Sequence, residues 1–215
     1  MNNEIIIEVN EVFKKYDDAT VLDNVSLEIE KGKIYGLVGR NGSGKTVLMK
    51  CICGLIKPTS GEVKVAGKTV GKDVDIPEDI GVIIETPGFI PNYSGFKNLK
   101  LLASVRNKIS NEEIRKSMEI VGLDPKSRKH VGKYSLGMRQ KLGIAQAIME
   151  KPKILILDEP MNGLDNESVA VVRKILKEQA ENGATIILAS HNREDIDVLC
   201  DKVYTMDHGV IECER

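Results

Sequence analysis

The chain has 215 residues, of which 41% are hydrophobic, and this supplies enough apolar material for one large folded domain. Lysine and arginine total 31 against 32 acidic residues, so a net charge of -1 gives no global field that would favour nucleic acid or an anionic membrane surface. No apolar run approaches the roughly 20 residues needed to span a bilayer, and the first residues lack a signal-peptide pattern. We therefore predict a folded cytoplasmic protein that binds no nucleic acid and does not itself insert in a membrane.

Apolar runs in the first part of the chain predict β-strands that lead to a glycine-rich loop. The predicted strands cover residues 5–9, 21–29, 34–38, 62–65 and 81–84. Each of the first three is bounded by Asp, Asn, Lys or Gly, which commonly end strands. The third run leads directly into the glycine-rich loop, and an amphipathic helix follows the loop.

The rest of the chain predicts a helical lobe followed by further strands. Residues 95–149 are predicted to be mostly helical, with helix N-caps at Ser110 and Ser135. Three continuous apolar strands, alternating with helices, are then predicted at residues 153–157, 184–189 and 202–206. Continuous apolar strands are typical of a parallel sheet covered on both faces. The fold predicted from this order is α/β with a helical insertion.

The glycine-rich loop fits the phosphate-binding pattern G-x-x-x-x-G-K-[ST], between the strand and the helix that this pattern requires. Its glycines let backbone N–H groups turn inward around a phosphate, and the helix dipole favours the same negative charge. We expect Lys45 to reach the β- and γ-phosphates and Thr46 to place its hydroxyl on Mg²⁺. The nucleotide-binding residues predicted here are Gly39, Arg40, Asn41, Gly42, Ser43, Gly44, Lys45 and Thr46.

Two carboxylates and a histidine follow apolar strands in the last part of the chain. Asp158 and Glu159 end the strand at residues 153–157, where buried charges are costly unless a cation or a substrate uses them. We predict that Asp158 supports the Mg²⁺ and that Glu159 polarises the attacking water. His191 follows another strand and is expected at the same edge of the sheet, where it would contact the γ-phosphate.

Together these motifs resemble the ATP-binding-cassette (ABC) family, and the resemblance runs along nearly the whole chain. In the family's terms, residues 39–46 are the Walker A motif, residues 154–160 the Walker B motif with catalytic Glu159, residues 163–165 the D-loop, and His191 the switch histidine. The resemblance implies ATP and Mg²⁺ as cofactors and ATP hydrolysis as the activity.

The resemblance also implies the domain organisation. The fold would be that of a P-loop NTPase (RecA-like), with a parallel sheet core, an antiparallel β subdomain and an inserted α-helical subdomain. Residues 1–215 would form a single ABC nucleotide-binding domain, with the ATP-binding core at about 1–84 and 150–215 and the helical subdomain at about 85–149.

The segment YSLGMRQ, at residues 134–140, is similar to the LSGGQ signature that is specific to this family. It departs from the signature by a leucine in place of the first glycine and by Met-Arg before the glutamine. The resemblance implies that Ser135, Gly137 and Gln140 contact ATP held by the Walker A loop of a second subunit. The N-terminal end of a helix, with its free N–H groups and positive dipole, would attract the γ-phosphate.

Two further residues owe their assignment to the resemblance. Tyr16 lies upstream of the phosphate loop, where the family carries an aromatic residue that stacks on adenine; the alternative is an ordinary strand-edge tyrosine. Glu85 stands where most members have a glutamine that contacts Mg²⁺ and the membrane partner; the alternative is a loop acid without metal contact. The segment around Glu85 is similar to that of the bacitracin- and lantibiotic-resistance exporters.

The resemblance implies an ATP-hydrolysing subunit that powers export, of antimicrobial peptides or drugs, through a separate transmembrane permease. Two copies, or this chain and a paralogue, would sandwich ATP in a homodimer or heterodimer on the inner face of the cell membrane. Residues 93–102 are expected to meet the permease. The alternative is a soluble ABC ATPase that serves cofactor or cluster assembly, because its motifs would look the same.

Overall fold

The first two strands form a long antiparallel hairpin in a small sheet. The structure is a computed structural model that describes residues 4–214. Strand β1 covers Ile5–Tyr16 and pairs antiparallel with β2, Ala19–Glu30. Strand β1 also pairs with β4, Ser60–Val65, which pairs with the short β5, Lys68–Thr69. The order of this sheet is β2-β1-β4-β5.

A second, larger sheet forms the centre of the molecule. Its strands are β3 (Ile34–Val38), β6 (Ile80–Ile83), β7 (Ile154–Asp158), β8 (Thr185–Ala189), β9 (Lys202–Asp207) and β10 (Val210–Cys213). The order is β10-β9-β3-β8-β7-β6, in which every pair is parallel except β9 with β10. The carboxyl ends of β3, β7 and β8 therefore meet at one edge of the sheet.

Six α-helices surround the sheets in the described part of the chain. They are α1 (Lys45–Ile52), α2 (Gly95–Arg106), α3 (Asn111–Ile120), α4 (Leu136–Ile148), α5 (Asn166–Glu181) and α6 (Arg193–Leu199). Both predicted caps are confirmed. Ser110 forms a reciprocal capping box with Glu113, and Ser135 accepts a hydrogen bond from the backbone N–H of Met138.

The central sheet is covered on both faces, which explains its continuous apolar strands. On β7, Leu155 and Leu157 pack into a core shared with the helical lobe and α5, whereas Ile154 and Ile156 pack into a core shared with α1 and the small sheet. Because neighbouring residues of a strand point to opposite faces, both sets must be apolar. The predicted α/β fold, with its antiparallel sheet and inserted helices, is confirmed.

All of the predicted strands are observed, with one clear difference in length, whereas the short strands β5 and β10 were not predicted. Strand β1 was predicted to end at Val9 and extends to Tyr16. Polar residues in its second half do not end the strand, because irregular pairing with β2 lets them face solvent while Val12 stays buried. Helices α2 to α4 lie between β6 and β7, although the exact division at residues 85 and 149 stays a prediction. Within residues 4–214, none of the helices is long and apolar enough to cross a bilayer.

Candidate active site

The loop between β3 and α1 has a backbone path that only glycine adopts without strain. Gly39, Gly42 and Gly44 have φ angles of 157°, 82° and 108°. A Cβ atom at Gly39 would lie 2.2 Å from the carbonyl oxygen of Met206, on β9. The loop is thus pressed against the neighbouring strand, and the first turn of α1 follows it directly.

Lys45, the first residue of α1, folds back over this loop. Its Nζ donates hydrogen bonds to the carbonyl oxygens of Gly39, at 2.6 Å, and Arg40, at 2.9 Å. Burial lowers the pKa of the Lys45 ammonium, and attraction to Asp158 and Glu159 partly offsets that effect. A cation held at this point is suited to binding the phosphates of a nucleotide.

Thr46 and Asp158 bring α1 and β7 together. The Thr46 hydroxyl donates a hydrogen bond of 2.6 Å to Oδ2 of Asp158, the last residue of β7. Hydroxyl and carboxylate oxygens are ligands that Mg²⁺ accepts together with phosphate oxygens and water. Among residues 4–214, no group of three or more His, Cys, Asp or Glu side chains is arranged to hold a metal ion.

Glu159 and His191 meet at the same edge of the sheet, as predicted from the two strands. His191 Nδ1 lies 2.7 Å from Glu159 Oε1, and the Glu159 N–H donates to the carbonyl of Ala189, the last residue of β8. Burial raises the pKa of the Glu159 carboxyl, and His191 offsets this only in part. A carboxylate of raised pKa beside an imidazole is well suited to accept a proton from water.

A cavity of about 380 Å³ joins these groups. Its walls include Lys45, Thr46, Asp158, Glu159 and His191, together with Asn41, Gly42, Gly44 and Glu85. Within the described residues, Ser43 Oγ and Glu159 Oε1 are buried side-chain oxygens without a hydrogen bond, although Glu159 Oε1 has the contact with His191 given above. Buried polar atoms are normally satisfied, so Ser43 Oγ fits a polar ligand such as a phosphate.

The signature segment forms the exposed tip of α4. Ser135 caps the helix, Leu136 is half exposed, and a Cβ atom at Gly137 would lie 3.0 Å from the carbonyl oxygen of Gly163. Glycine at position 137 therefore lets the helix tip approach the D-loop closely. Leu136 borders the cavity described above, whereas Ser135 and Gly137 do not.

Gln140, the last residue of the signature segment, is held by hydrogen bonds within the chain. The residue is buried, and its side-chain amide donates to the carbonyl oxygens of Glu159, at 3.1 Å, and Pro160, at 2.9 Å. Both amide protons are thus used within the chain. The amide thereby holds the segment that carries Glu159, and the side chain also lines the cavity, so a contact of Gln140 with ATP stays a prediction.

Glu85 and Tyr16 lie at the margin of the site. The Glu85 carboxylate lines the cavity but pairs with Lys50 of α1, with 2.6 Å between Oε1 and Nζ. Tyr16 ends β1, is 44% exposed, and has the Lys14 ammonium 4.7 Å from its ring centre. Tyr16 does not border the cavity among the described residues, and its stacking on adenine stays a prediction.

Some wall residues were not predicted from the sequence. Val21 of β2, Arg139 of α4 and Asn162, just before the D-loop, also line the cavity. Asn162 lies three residues after Glu159, and its backbone N–H donates to the Glu159 carbonyl. Its closeness to Glu159 in the sequence could have identified Asn162 as a wall residue. Val21 had no local signal, because tertiary contacts of β2 bring it over the phosphate loop.

A phosphate loop on a parallel sheet, a carboxylate pair at the next strand and a capped signature helix define an ATP-binding-cassette nucleotide-binding domain. The family profile described as "ABC transporter" matches residues 22–162. A dimeric post-hydrolysis structure of the ATP-binding cassette MJ0796, bound to ADP and Pi, superposes with a TM-score of 0.87 and 22% identity. The match covers 98% of this chain and 99% of MJ0796.

Relatives with higher identity carry transporter names. YybJ of Bacillus subtilis (strain 168), an uncharacterized ABC transporter ATP-binding protein, is 48% identical over 96% of this chain and 95% of its own. The bacitracin transport ATP-binding protein BcrA of Enterococcus faecalis is 43% identical over 96% and 68%, and the lantibiotic transport ATP-binding protein SrtF of Streptococcus pyogenes is 36% identical over 98% and 90%. The chain belongs to the ABC transporter family, as one of its ATP-binding, ATP-hydrolysing subunits.

Proposed function

We propose that the cavity binds ATP with Mg²⁺ and that Glu159 activates the water that attacks the γ-phosphate. The observation that carries this proposal is the position of Glu159, a partly buried carboxylate of raised pKa that lines the cavity and contacts His191. A general base needs affinity for a proton, and a carboxylate with one oxygen beside a histidine keeps further lone pairs for water. His191, 2.7 Å away, would orient Glu159 and contact the γ-phosphate.

The remaining residues of the cavity would hold the triphosphate. Backbone N–H groups of residues 39–46 would surround the β-phosphate, and Lys45 would exchange its two carbonyl acceptors for phosphate oxygens. Thr46, Asp158 and, at the margin, Glu85 would hold Mg²⁺, which neutralises phosphate charge when bound. Tyr16 would stack on the adenine.

The tip of α4 would act on the ATP of a second subunit. Ser135 and Gly137 lie at an exposed helix N-terminus that carries no acidic residue in its first turn, so the positive end of the dipole is not neutralised. Each ATP would contact both subunits and bind the closed dimer more tightly than the open one. Hydrolysis would then release the dimer and drive the attached permease.

Replacing Glu159 with glutamine tests the catalytic assignment. We expect Glu159→Gln to bind ATP with unchanged affinity, to lose turnover by about a hundredfold or more, and to accumulate as an ATP-bound dimer in size-exclusion chromatography. Glu178→Gln, at an exposed carboxylate of α5, is the matched control and should keep full turnover. Unchanged hydrolysis by Glu159→Gln would remove Glu159 from its role.

We further propose that the chain serves export of peptide antibiotics through a separate permease on the inner face of the membrane. Support comes from the names of BcrA and SrtF and from the apolar surface of α2, where Leu101 and Leu102 are 49% and 40% exposed. Exposed apolar side chains that lie together are typical of protein contacts. This surface belongs to the segment 93–102 predicted to meet the permease.

Deletion of the gene and purification from membranes test this second proposal. Loss of the chain should sensitise its host to bacitracin or to lantibiotics, and the tagged chain should copurify with a polytopic membrane protein. Replacing both Leu101 and Leu102 with serine should abolish copurification while ATP binding remains. If the chain never copurifies with a membrane protein, the alternative function as a soluble assembly ATPase is favoured. Native mass spectrometry of the purified complex would distinguish a homodimer from a heterodimer.

A further inference from the structure

An ion pair joins the phosphate-loop helix to the residue that replaces the family's glutamine. Lys50 Nζ of α1 donates to Glu85 Oε1 over 2.6 Å. The side chain of Lys50 is 23% exposed and that of Glu85 is 64% exposed, so the pair lies at the mouth of the cavity rather than inside it. Glu85 follows β6 and has a φ angle of 59°, which is uncommon for a residue with a side chain.

The pair is aligned with the proposed metal ligands along one face of α1. Lys50 lies four residues after Thr46, and residues with this spacing are neighbours on a helix surface, one turn apart. Thr46 contacts Asp158, whereas Lys50 contacts Glu85. Because Glu85 and Thr46 line the same cavity, Glu85 has two alternative cationic partners, which are the Lys50 ammonium and a metal ion beside Thr46.

The charges of the cavity make this choice of partner important. Asp158 and Glu159 already face the triphosphate site, and Lys45 is the cation in contact with the phosphate loop. A third, unpaired carboxylate at position 85 would repel ATP that carries no metal, but it would attract the metal of Mg²⁺-ATP. In this structure, Lys50 neutralises the third carboxylate.

We propose that Lys50 is a positioning residue that holds the Glu85 carboxylate at the mouth of the cavity and releases it only when a metal ion is bound beside Thr46. The proposal rests on the function proposed above. Lys50 thereby allows this chain to carry a glutamate at position 85 without losing affinity for the triphosphate. The preference of the cavity for metal-bound over metal-free ATP is set by Lys50 and Glu85 together.

The test measures dissociation constants for ATP, by isothermal titration, once with excess Mg²⁺ and once with EDTA. Lys50→Met should weaken binding of metal-free ATP by about threefold to fivefold, the size expected for one partly exposed charge pair. Binding of Mg²⁺-ATP should change by less than about twofold, because the metal then satisfies Glu85. The ratio of the dissociation constant for metal-free ATP to that for Mg²⁺-ATP therefore rises.

A double-mutant cycle separates the pair from the general loss of a cation. In the Glu85→Gln background, Lys50→Met should leave the ratio unchanged, because no carboxylate remains to be released. Glu85→Gln alone should lower the ratio. Lys174→Met removes a remote lysine of α5 that also pairs with a glutamate, at 3.7 Å, and should leave the ratio at its wild-type value.

Three outcomes would contradict the role of Lys50 or the proposed function. An unchanged ratio in Lys50→Met, or an equal change in both backgrounds, overturns the role of Lys50. If Lys50→Met does not fold, Lys50→Arg is measured in its place. This variant should keep the wild-type ratio, because a guanidinium also pairs with a carboxylate. An altered ratio in Lys50→Arg would speak against the ion pair. A wild-type chain that binds no ATP contradicts the proposed function itself, a result distinct from the other two.

Discussion

The hydroxyl of Thr46 and the carboxylate of Asp158 are joined by a 2.6 Å hydrogen bond, although 112 residues separate them in the sequence. The bond connects the first turn of α1 to the end of β7. Both oxygens that we assign to Mg²⁺ are therefore held side by side by the fold itself. A ligand pair arranged in advance needs little ordering when the ion binds.

Replacing Thr46 tests this arrangement. Thr46→Val keeps the shape of the side chain but removes the hydroxyl, so we expect the affinity for Mg²⁺-ATP to fall to that for metal-free ATP and turnover to fall by about a hundredfold. Thr46→Ser keeps the hydroxyl and should retain most of both. Equal behaviour of the two variants in titration and in a phosphate-release assay would show that the hydroxyl is not a metal ligand.

The pH dependence of stability reports the state of Glu159. Burial holds the pKa of its carboxyl above the ordinary value of 4.5, so ionisation costs the folded chain more than the unfolded chain. The wild type thus loses stability as the pH rises from below 4.5 through the raised pKa, whereas Glu159→Gln, which has no proton to lose, does not. Without nucleotide, Glu159→Gln should have the higher midpoint of thermal unfolding at neutral pH.

The difference in unfolding midpoint between the wild type and Glu159→Gln should narrow as the pH falls below about 4.5. The wild-type carboxyl is then protonated in both the folded and the unfolded chain. Glu181→Gln, at the exposed end of α5, removes the same charge and should leave the midpoint nearly unchanged at neutral pH. A Glu159→Gln variant less stable than the wild type at neutral pH would contradict the proposed burial cost.

Gly39 is predicted to be irreplaceable even by alanine. The added methyl group would lie 2.2 Å from the Met206 carbonyl, so Gly39→Ala must shift the loop, and ATP affinity should fall by about tenfold or more. Gly32 also has a positive φ angle, of 74°, but no atom within 4 Å of the added carbon. Gly32→Ala should cost about 1 kcal/mol of stability and leave ATP binding unchanged.

Gln140→Met separates two roles for this residue. If its amide only holds the carbonyls of Glu159 and Pro160, the variant should lose about 1–2 kcal/mol of stability and about tenfold in kcat, with an unchanged dissociation constant for ATP. Denaturant unfolding, titration and steady-state kinetics measure these three quantities. A large loss of ATP affinity in the dimer, at unchanged stability, would instead support the predicted contact of Gln140 with nucleotide.

Arg173 of α5 is predicted to stabilise the loop that carries His191. Its Nε and Nη2 donate to Oδ1 of Asp195, at 2.8 Å and 2.6 Å, and Asp195 is only 2% exposed and accepts from Ser190. Arg173→Met leaves a buried carboxylate without its cation and should cost about 3 kcal/mol in denaturant unfolding. Lys174→Met, in an exposed pair on the same helix, should cost less than about 0.5 kcal/mol. Equal losses would mean that Asp195 is not held by Arg173.

The site residues that come directly after an apolar strand could be predicted from the sequence. Residues 39–46, Asp158 and His191 each follow an apolar strand, so the parallel sheet alone brings them together. The orientation of Gln140 had a signal that similarity to the signature obscured. Gln140 lies four residues before Ile144, on the buried face of α4, and a helix period places it inside.

The pairing of Lys50 with Glu85 had no such signal. It depends on the path of the loop after β6, where Glu85 adopts a positive φ angle, and on the packing of that loop against α1. Neither is encoded in a local pattern of apolar residues. Contacts between side chains of distant loops are decided by tertiary structure, which a sequence pattern does not contain.

The hydrogen bonds of Lys45 affect what happens between one turnover and the next. Because the carbonyl oxygens of Gly39 and Arg40 already receive its protons, the departure of a nucleotide leaves no buried cation without acceptors. The loop therefore supplies acceptors for Lys45 when no nucleotide is bound. It persists as a preformed receptor, and each new ATP exchanges one set of oxygen acceptors for another.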